Sequence, residues 1–431
     1  MNWLSQRLEF WTSLHPSTRR LIETRFLRSI GQGALGVDFT LYLAARGWDA
    51  GEIGLLLMGG GLANAALSLL VGVTSDRFGR KGFLLLYELG LILATAAIAA
   101  FPHIWILILS AVLFGFGRGA NGNSGPFAPA EQAWLAQHIS GKKRGSVFSF
   151  NAALQFWGMA IGSALAGILP HLLPGVVGAA AYLPLFLLNL FVAVVNFVQI
   201  VFIQDDKSVA DEVPESATTE EKEAVAAQEQ TVRKRENRAL LLLVLVNLVN
   251  SLGVGLVAPL LPYWFDIRFG VGPTAIGSIY AITFILTGIS SIGIGKLSQR
   301  VGLVSAITLP RLLGVAMLIA MPFVPTFGIA STLYVVRSIV NRGSMGARQA
   351  FSVGLVRNQR RGFASSLNNL SWSLAASFGP AIGGWLLDMG SLFWPFVIAS
   401  ALQLAYVILF TKVMGKYDPT SNRTASAGSK G

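Results

Sequence analysis

Gly72-Val73-Thr74-Ser75-Asp76-Arg77-Phe78-Gly79-Arg80-Lys81 lies between two long apolar stretches, 51–74 and 82–101. One acid, three bases and two glycines within ten residues end the first stretch and start the second. The glycines allow a tight turn, and the bases mark one side of a bilayer. A crossing needs about 20 mostly apolar residues. Reading outward in both directions gives twelve of them: 24–44, 51–74, 82–101, 104–123, 147–169, 178–203, 239–262, 273–294, 302–323, 326–345, 363–386 and 392–412. The clearest is the sixth, where Ala179 to Ile203 holds no Asp, Glu, Lys, Arg or His.

The whole chain agrees. Of 431 residues, 53% are hydrophobic and 13% charged, against roughly 25% charged in a soluble domain. So few charges cannot coat a water-facing surface of this size, which excludes soluble, disordered and coiled-coil classes. The fold class expected is an all-α polytopic membrane protein. Forty-seven glycines suit close helix packing in lipid. No cysteine is present, which excludes disulfides and thiolate metal sites. The net charge of +12 suggests nucleic acid until the charges are placed. Arg19, Arg20, Arg77, Arg80, Lys81, Lys142, Lys143, Arg144, Lys296, Arg300, Arg357, Arg360, Arg361, Lys412 and Lys416 fall on one side, and only Arg46 and Arg268 on the other. This is the positive-inside pattern. It places both termini in the cytoplasm of a multi-pass cell inner membrane protein, with lipid headgroups and not nucleic acid as the partner of the bases.

Five regions follow. Residues 1–20 read as an interfacial segment with no cleavage signature, 21–203 as a six-helix bundle, 204–238 as a linker, 239–414 as a second bundle and 415–431 as a disordered tail. The linker holds ten of the 21 acids, with a helical pattern from about 219 to 237. The bundles repeat. Gly72 to Gly79 matches Gly295 to Gly302 at an offset of 223, and Ala130-Glu131-Gln132-Ala133 matches Ala347-Arg348-Gln349-Ala350 at 217. Gly158, Gly162 and Gly167 match Ala375, Gly379 and Gly384, again at 217. Repeated six-span halves around a shared site are a transporter plan.

The stretch from Gly72 to Lys81 resembles the major facilitator superfamily signature G-x-x-x-D-R-x-G-R-K/R, with every fixed position present. With twelve spans and a central linker, the resemblance covers the chain. It implies 12 transmembrane helices in two pseudo-symmetric six-helix bundles, a central cavity, and rocking between inward-open and outward-open states. Within the family, Arg118-Gly-Ala-Asn-Gly122 is similar to the span-4 motif of the drug:proton antiporter branch. Gly379-Pro380-Ala-Ile-Gly383-Gly384 has the form of its antiporter motif but sits in span 11. Span 5, where the branch carries that motif, has Ser163 and Ala166 in place of Pro and Gly.

Candidate functional residues follow from polarity at membrane depth, where each ionisable group asks for a reason. Asp38, Glu88, Arg118, Arg311 and Arg337 are the intramembrane charges. Glu88 and Arg118 sit at one depth on either side of the turn at Pro102, so an ion pair between them competes with a transport role. Asp38 has no local partner in the sequence and is the first choice to carry a proton, because burial favours the neutral form of a carboxylate. Arg311 and Arg337 have no intramembrane acid in their half, which points to an anion; the competing role for Arg311 is an outward, snorkelling side chain. Gln32, Tyr42, Asn151 and Gln155 in the first half, with Asn247, Asn250 and Asn369 in the second, supply polar or aromatic cavity wall.

Gly72, Asp76, Arg77, Gly79, Arg80 and Lys81 are expected to form a conformational latch, as the resemblance implies. Glu131 and Arg348, opposite charges at equivalent repeat positions, are expected to face each other, or each other's neighbours, across the two halves when the cytoplasmic side closes, with Lys142 an equal claimant of Glu131. Gly158, Gly162, Gly167, Gly379, Pro380, Gly383 and Gly384 are expected to form a seam between the halves. No metal cluster, nucleotide-binding loop or nucleophile–base pair is present, so neither an enzyme nor a cofactor is expected. An ion gradient, with the proton first, then supplies the energy.

The expected activity is secondary active transport by alternating access, as a monomer, with proton-coupled efflux of a small amphipathic compound first. Uptake or exchange of an organic anion or zwitterion is the alternative, and a non-transporting receptor on the same fold is the alternative of another class.

Overall fold

The computed structural model is helical, with no strand among its described residues: 11–12, 14–78, 80–117, 125–126, 131, 134–135, 141–203, 219–301, 303–344, 348, 351–352, 355–356 and 361–417. Within these, only the backbone is described for 72–78, 80, 141–146, 148–149, 219–231, 292–301, 303, 306, 361–363 and 365–366. The N-terminal half contains α1 (Pro16–Ala45), α2 (Ala50–Phe78), α3 (Arg80–Ala100), α4 (Ile104–Phe114), α5 (Gly141–Ala166) and α6 (Leu183–Val201). The C-terminal half contains α7 (Thr219–Val257), α8 (Leu261–Phe269), α9 (Pro273–Val301), α10 (Leu303–Ala320), α11 (Phe327–Gly343), α12 (Arg361–Asp388) and α13 (Trp394–Leu409). The ends of α6 and α13 and the start of α1 mark the linker face; the turns at 46–49, 101–103 and 389–393 mark the far face.

Two boundaries differ from the sequence reading. The seventh span is two helices, α7 and α8, broken where Pro259 and Pro262 interrupt the apolar run. Its first helix already starts at Thr219, so the second part of the expected linker continues into the span. The fourth span was read to 123, but α4 stops at Phe114, where Gly115 takes the left-handed conformation (φ 65°) and donates to the Ala111 carbonyl at 2.8 Å.

Among the described residues, seven segments are long and apolar enough to cross a membrane. Helix α1 is not among them, although it is 30 residues long. Most of its side chains are buried, including Arg25, Arg28 and Asp38. It is sheathed by protein and need not be apolar toward lipid. Helices α3 and α6 show the opposite logic: Leu86, Leu93 and Phe191 are more than 60% exposed, as lipid-facing side chains are.

Glycine contacts reveal the internal symmetry. A Cβ on Gly33 would strike the Met159 backbone of α5, and one on Gly255 would strike Ala376 of α12. A Cβ on Gly54 would strike Pro380 of α12, and one on Gly277 would strike Ser163 of α5. Each pair repeats at the offsets found in the sequence, so α5 in one half and α12 in the other play the same part. The first pair joins helices within a half. The second joins the halves: α2 to α12, and α9 to α5. The Phe156 and Phe284 rings stack between α5 and α9 at 6.3 Å.

The expected seam is therefore corrected in part. Gly167 (against Thr274) and Gly384 (against Ala50) do lie between the halves. Gly158 and Gly162 pack on α1, and Gly379 and Gly383 on α7, each within its own half. Gly54 and Gly277 supply the rest of the seam. Backbone meets backbone there, so no rotamer change can make room for a side chain. Gly54→Val should separate the far-face ends of the halves. Overpacking costs about 1–3 kcal/mol, or roughly a 5- to 150-fold shift away from the sealed arrangement. Spin-label distances between the 46–49 and 389–393 turns check it; unchanged distances and unchanged solute flux would contradict it.

Candidate functional site

The first cluster sits on α1, where Arg28 is 4% exposed. Its Nε donates to Glu88 Oε1 on α3 at 2.8 Å, and its Nη1 donates to Glu131 Oε2 at 3.0 Å. Glu88 is fully buried and Arg25 lies alongside, close enough to interact with Glu131 and Arg28. Two guanidiniums and two carboxylates balance one another, which is how buried charge is tolerated. Beside them is a small cavity lined by Arg28, Gln32, Asn64, Tyr87, Asn189 and Asn196, among others. The Gln32 Oε1 and both amide atoms of Asn196 are buried without a partner among the described residues.

Glu88 is bonded to Arg28, a partner the depth argument did not offer; Arg118 lies outside the described residues. Arg28 stands on α1, a helix next to α3 in the bundle, whereas the depth argument considered only the neighbour along the chain. With the far face sealed, Glu131 is bonded to Arg28 of its own half; the expected approach to Arg348 concerns the closed cytoplasmic side. Arg348 stacks over Trp372 at 5.4 Å in the other half. Arg25 and Arg28 are absent from the intramembrane charges read from the sequence, although both lie inside the first apolar window, 24–44.

Asp38 stands apart. It is fully buried, and neither carboxylate oxygen has a hydrogen-bond partner among the described residues. Gly31, Asp38 and Tyr42 share one helical stripe, since 7 and 11 residues are close to two and three turns. Gly31 faces Asn189 and Tyr42 packs on Phe186 and Tyr182, so the stripe is directed at α6. Tyr42 is thus part of the α1–α6 packing, and its hydroxyl accepts from Arg46 Nη1 at 2.9 Å.

The C-terminal half mirrors the first cluster with other chemistry. Arg311 on α10 is 3% exposed, so it does not snorkel outward. Its Nη1 donates to Asn250 Oδ1 on α7, and its guanidinium lies 4.8 Å from the Tyr406 ring. Arg337 is also buried, with Nη2 3.5 Å from Gln403 Oε1. Asn247 donates to Asn368 at 2.7 Å. Gln155 is buried, Asn151 and Asn369 are half-buried, and the Asn151 Oδ1 has no partner among the described residues.

Of the expected latch, Gly72, Asp76, Arg77 and Arg80 have no described side chains and Gly79 lies outside the described residues. Lys81 donates to the carbonyls of Val201 and Ile203 at 2.8 and 2.7 Å. It caps the C-terminus of α6 in its own half, where a cation is favoured.

The far face carries a cross-half cap instead. Asp388, beyond the apolar part of α12, accepts from the backbone N–H of Ala50 and Gly51 at 2.9 and 2.6 Å, at the N-terminus of α2. Nearby, His171 Nε2 and Thr274 Oγ1 lie 3.1 Å apart across the other arm of the seam. Partial burial, and then the Asp49 carboxylate beside it, raise Asp388 above the ordinary carboxylate range despite the two backbone donors. The sealed arrangement thus holds this proton more tightly than an open one with Asp388 in water. Acidification into the carboxylate range should favour the sealed far face, and the effect should fade as pH rises above that range. Spin-label distances against pH test this; Asp388→Asn should flatten the curve, and an unaltered curve would refute the assignment.

The family model described as Major Facilitator Superfamily matches residues 24–247 and again 243–430. An uncharacterized membrane protein of Saccharomyces cerevisiae, YJR124C, is 22% identical, covering 92% of this chain and 95% of that protein. Multidrug resistance protein 2 of Bacillus subtilis is 20% identical, covering 89% and 92%. Among solved structures, a D-xylose-proton symporter superposes with a TM-score of 0.71 at 13% identity, covering 91% of this chain and 97% of that one.

Proposed function

Because the chain belongs to the major facilitator superfamily, we propose that it is a proton-coupled secondary transporter that exports a small amphipathic solute. Alternating access moves the solute, Asp38 carries the proton, and the linker face is cytoplasmic. One observation carries this reading. Glu88 and Glu131 are each bonded to Arg28, whereas Asp38 is buried with both oxygens unpartnered among the described residues. A lone carboxylate charge in that setting costs several kcal/mol, and a bound proton removes the cost. Opening of the helices around α1 would wet the group and release the proton, so protonation and conformation are linked. The efflux direction is supported by the similarity to multidrug resistance protein 2 of Bacillus subtilis. The cytoplasmic linker face is supported by the basic residues gathered there.

Proteoliposomes with an imposed proton gradient test the proposal. Solute flux should follow the gradient in the native chain and lose that dependence in Asp38→Asn. Solute exchange that ignores the gradient in both would overturn it.

A further inference from the structure

The two halves hold equivalent clusters of unequal charge. In the first, Arg25, Arg28, Glu88 and Glu131 sum to zero. Their repeat equivalents, at offsets of 217 to 223, are Asn247, Asn250, Arg311 and Arg348. The bond from Arg28 to Glu88 is replaced by one from Arg311 to Asn250, between the equivalent helices. Both carboxylates have become guanidiniums, and both guanidiniums have become amides, so the second cluster carries two positive charges. Arg337 and Arg342 add two more: Arg337 interacts electrostatically with Arg311 and Arg342, and Arg348 with Arg311.

No acid lies between Asp266 and Asp388 in the sequence, and both of these sit toward the far face. The Nε groups of Arg311, Arg337 and Arg348, Nη1 of Arg342 and the Nδ2 of Asn250 are buried without an acceptor among the described residues. Aromatic rings flank the charges: Tyr406 at Arg311, Phe284 at Arg342 and Trp372 at Arg348. Several unspent guanidinium donors, each guanidinium beside an aromatic face or another of the arginines, suit a planar oxyanion with an apolar body.

We propose that this cluster binds the carboxylate head of an amphipathic organic anion, which supplies to these arginines the counter-charge that Glu88 and Glu131 supply to Arg28 in the first half. The inference rests on the transport reading and names its solute class.

The test is binding without any gradient. The full chain in phosphatidylcholine nanodiscs is titrated with 2-naphthoate by calorimetry, with tetraphenylphosphonium and inorganic phosphate as competitors. One naphthoate should bind per chain, and neither competitor should displace it at equal concentration. Arg311→Gln should weaken binding at least 30-fold, and Arg311→Lys less. Asn250→Asp, which supplies an internal carboxylate to Arg311, should abolish binding and raise the thermal midpoint. A merely structural Arg311 would predict unchanged affinity in the folded variants.

Naphthoate binding that is absent, or that survives Arg311→Gln and Asn250→Asp, overturns the inference. So does displacement by phosphate, or loss of affinity in phosphatidylglycerol nanodiscs, which would mark an inorganic-anion or lipid-headgroup site. If naphthoate fails to bind while Asp38-dependent, proton-driven flux of another solute persists, only this inference falls. If naphthoate binds but nothing is driven by the gradient, only the transport reading falls.

Discussion

Arg28→Met should destabilise the N-terminal half by about 3–5 kcal/mol, the usual cost of removing one partner of a buried ion pair. Arg28 bonds both Glu88 and Glu131, at 2.8 and 3.0 Å. Its loss leaves two interior carboxylates with Arg25 as the cation beside them. Methionine approximates the arginine stem, so the loss reflects electrostatics more than volume. The triple change Arg28→Met, Glu88→Gln, Glu131→Gln should recover much of the stability, because amides remove the orphaned charge. Thermal midpoints in detergent, read by size exclusion, separate these outcomes. A single variant as stable as the native chain would show that water or lipid already solvates the cluster.

The second large effect is expected at Asp38. Asp38→Asn keeps the shape and removes the titrating proton. Gradient-driven flux should fall to background, at least about 100-fold, equivalent to about 2.7 kcal/mol of lost coupling. Solute counterflow without a gradient should survive, since the amide mimics the neutral acid. Stability should change little, because the group it replaces makes no hydrogen bond among the described residues. Joint loss of driven flux and counterflow would mean that Asp38 binds solute or holds the fold.

Apolar run lengths, the basic turns and the 217- and 223-residue offsets carry the membrane class, the two halves and their order. These properties are legible because lipid imposes them residue by residue along each helix. The same periodicity flagged Asp38, Glu88, Arg311 and Arg337 as charges at depth. It failed on partners. The neighbouring turn offers Glu88 only Arg118 as a competing partner, whereas the chain brings Arg28 to it from α1, 60 residues earlier.

It failed likewise on the glycines. Their spacing marks close approach but not the helix approached, so Gly162 and Gly167, five residues apart, serve α1 and α9 respectively. Depth and spacing are properties of one helix and can be read from the chain. Which helix stands beside another is set by the packing of whole bundles. That the second half holds no acid at the depth of Arg311 and Arg337 was legible in the chain; tertiary structure alone decided that Arg28 joins Glu88 to Glu131 in the first half, while Arg311 turns to Asn250 in the second.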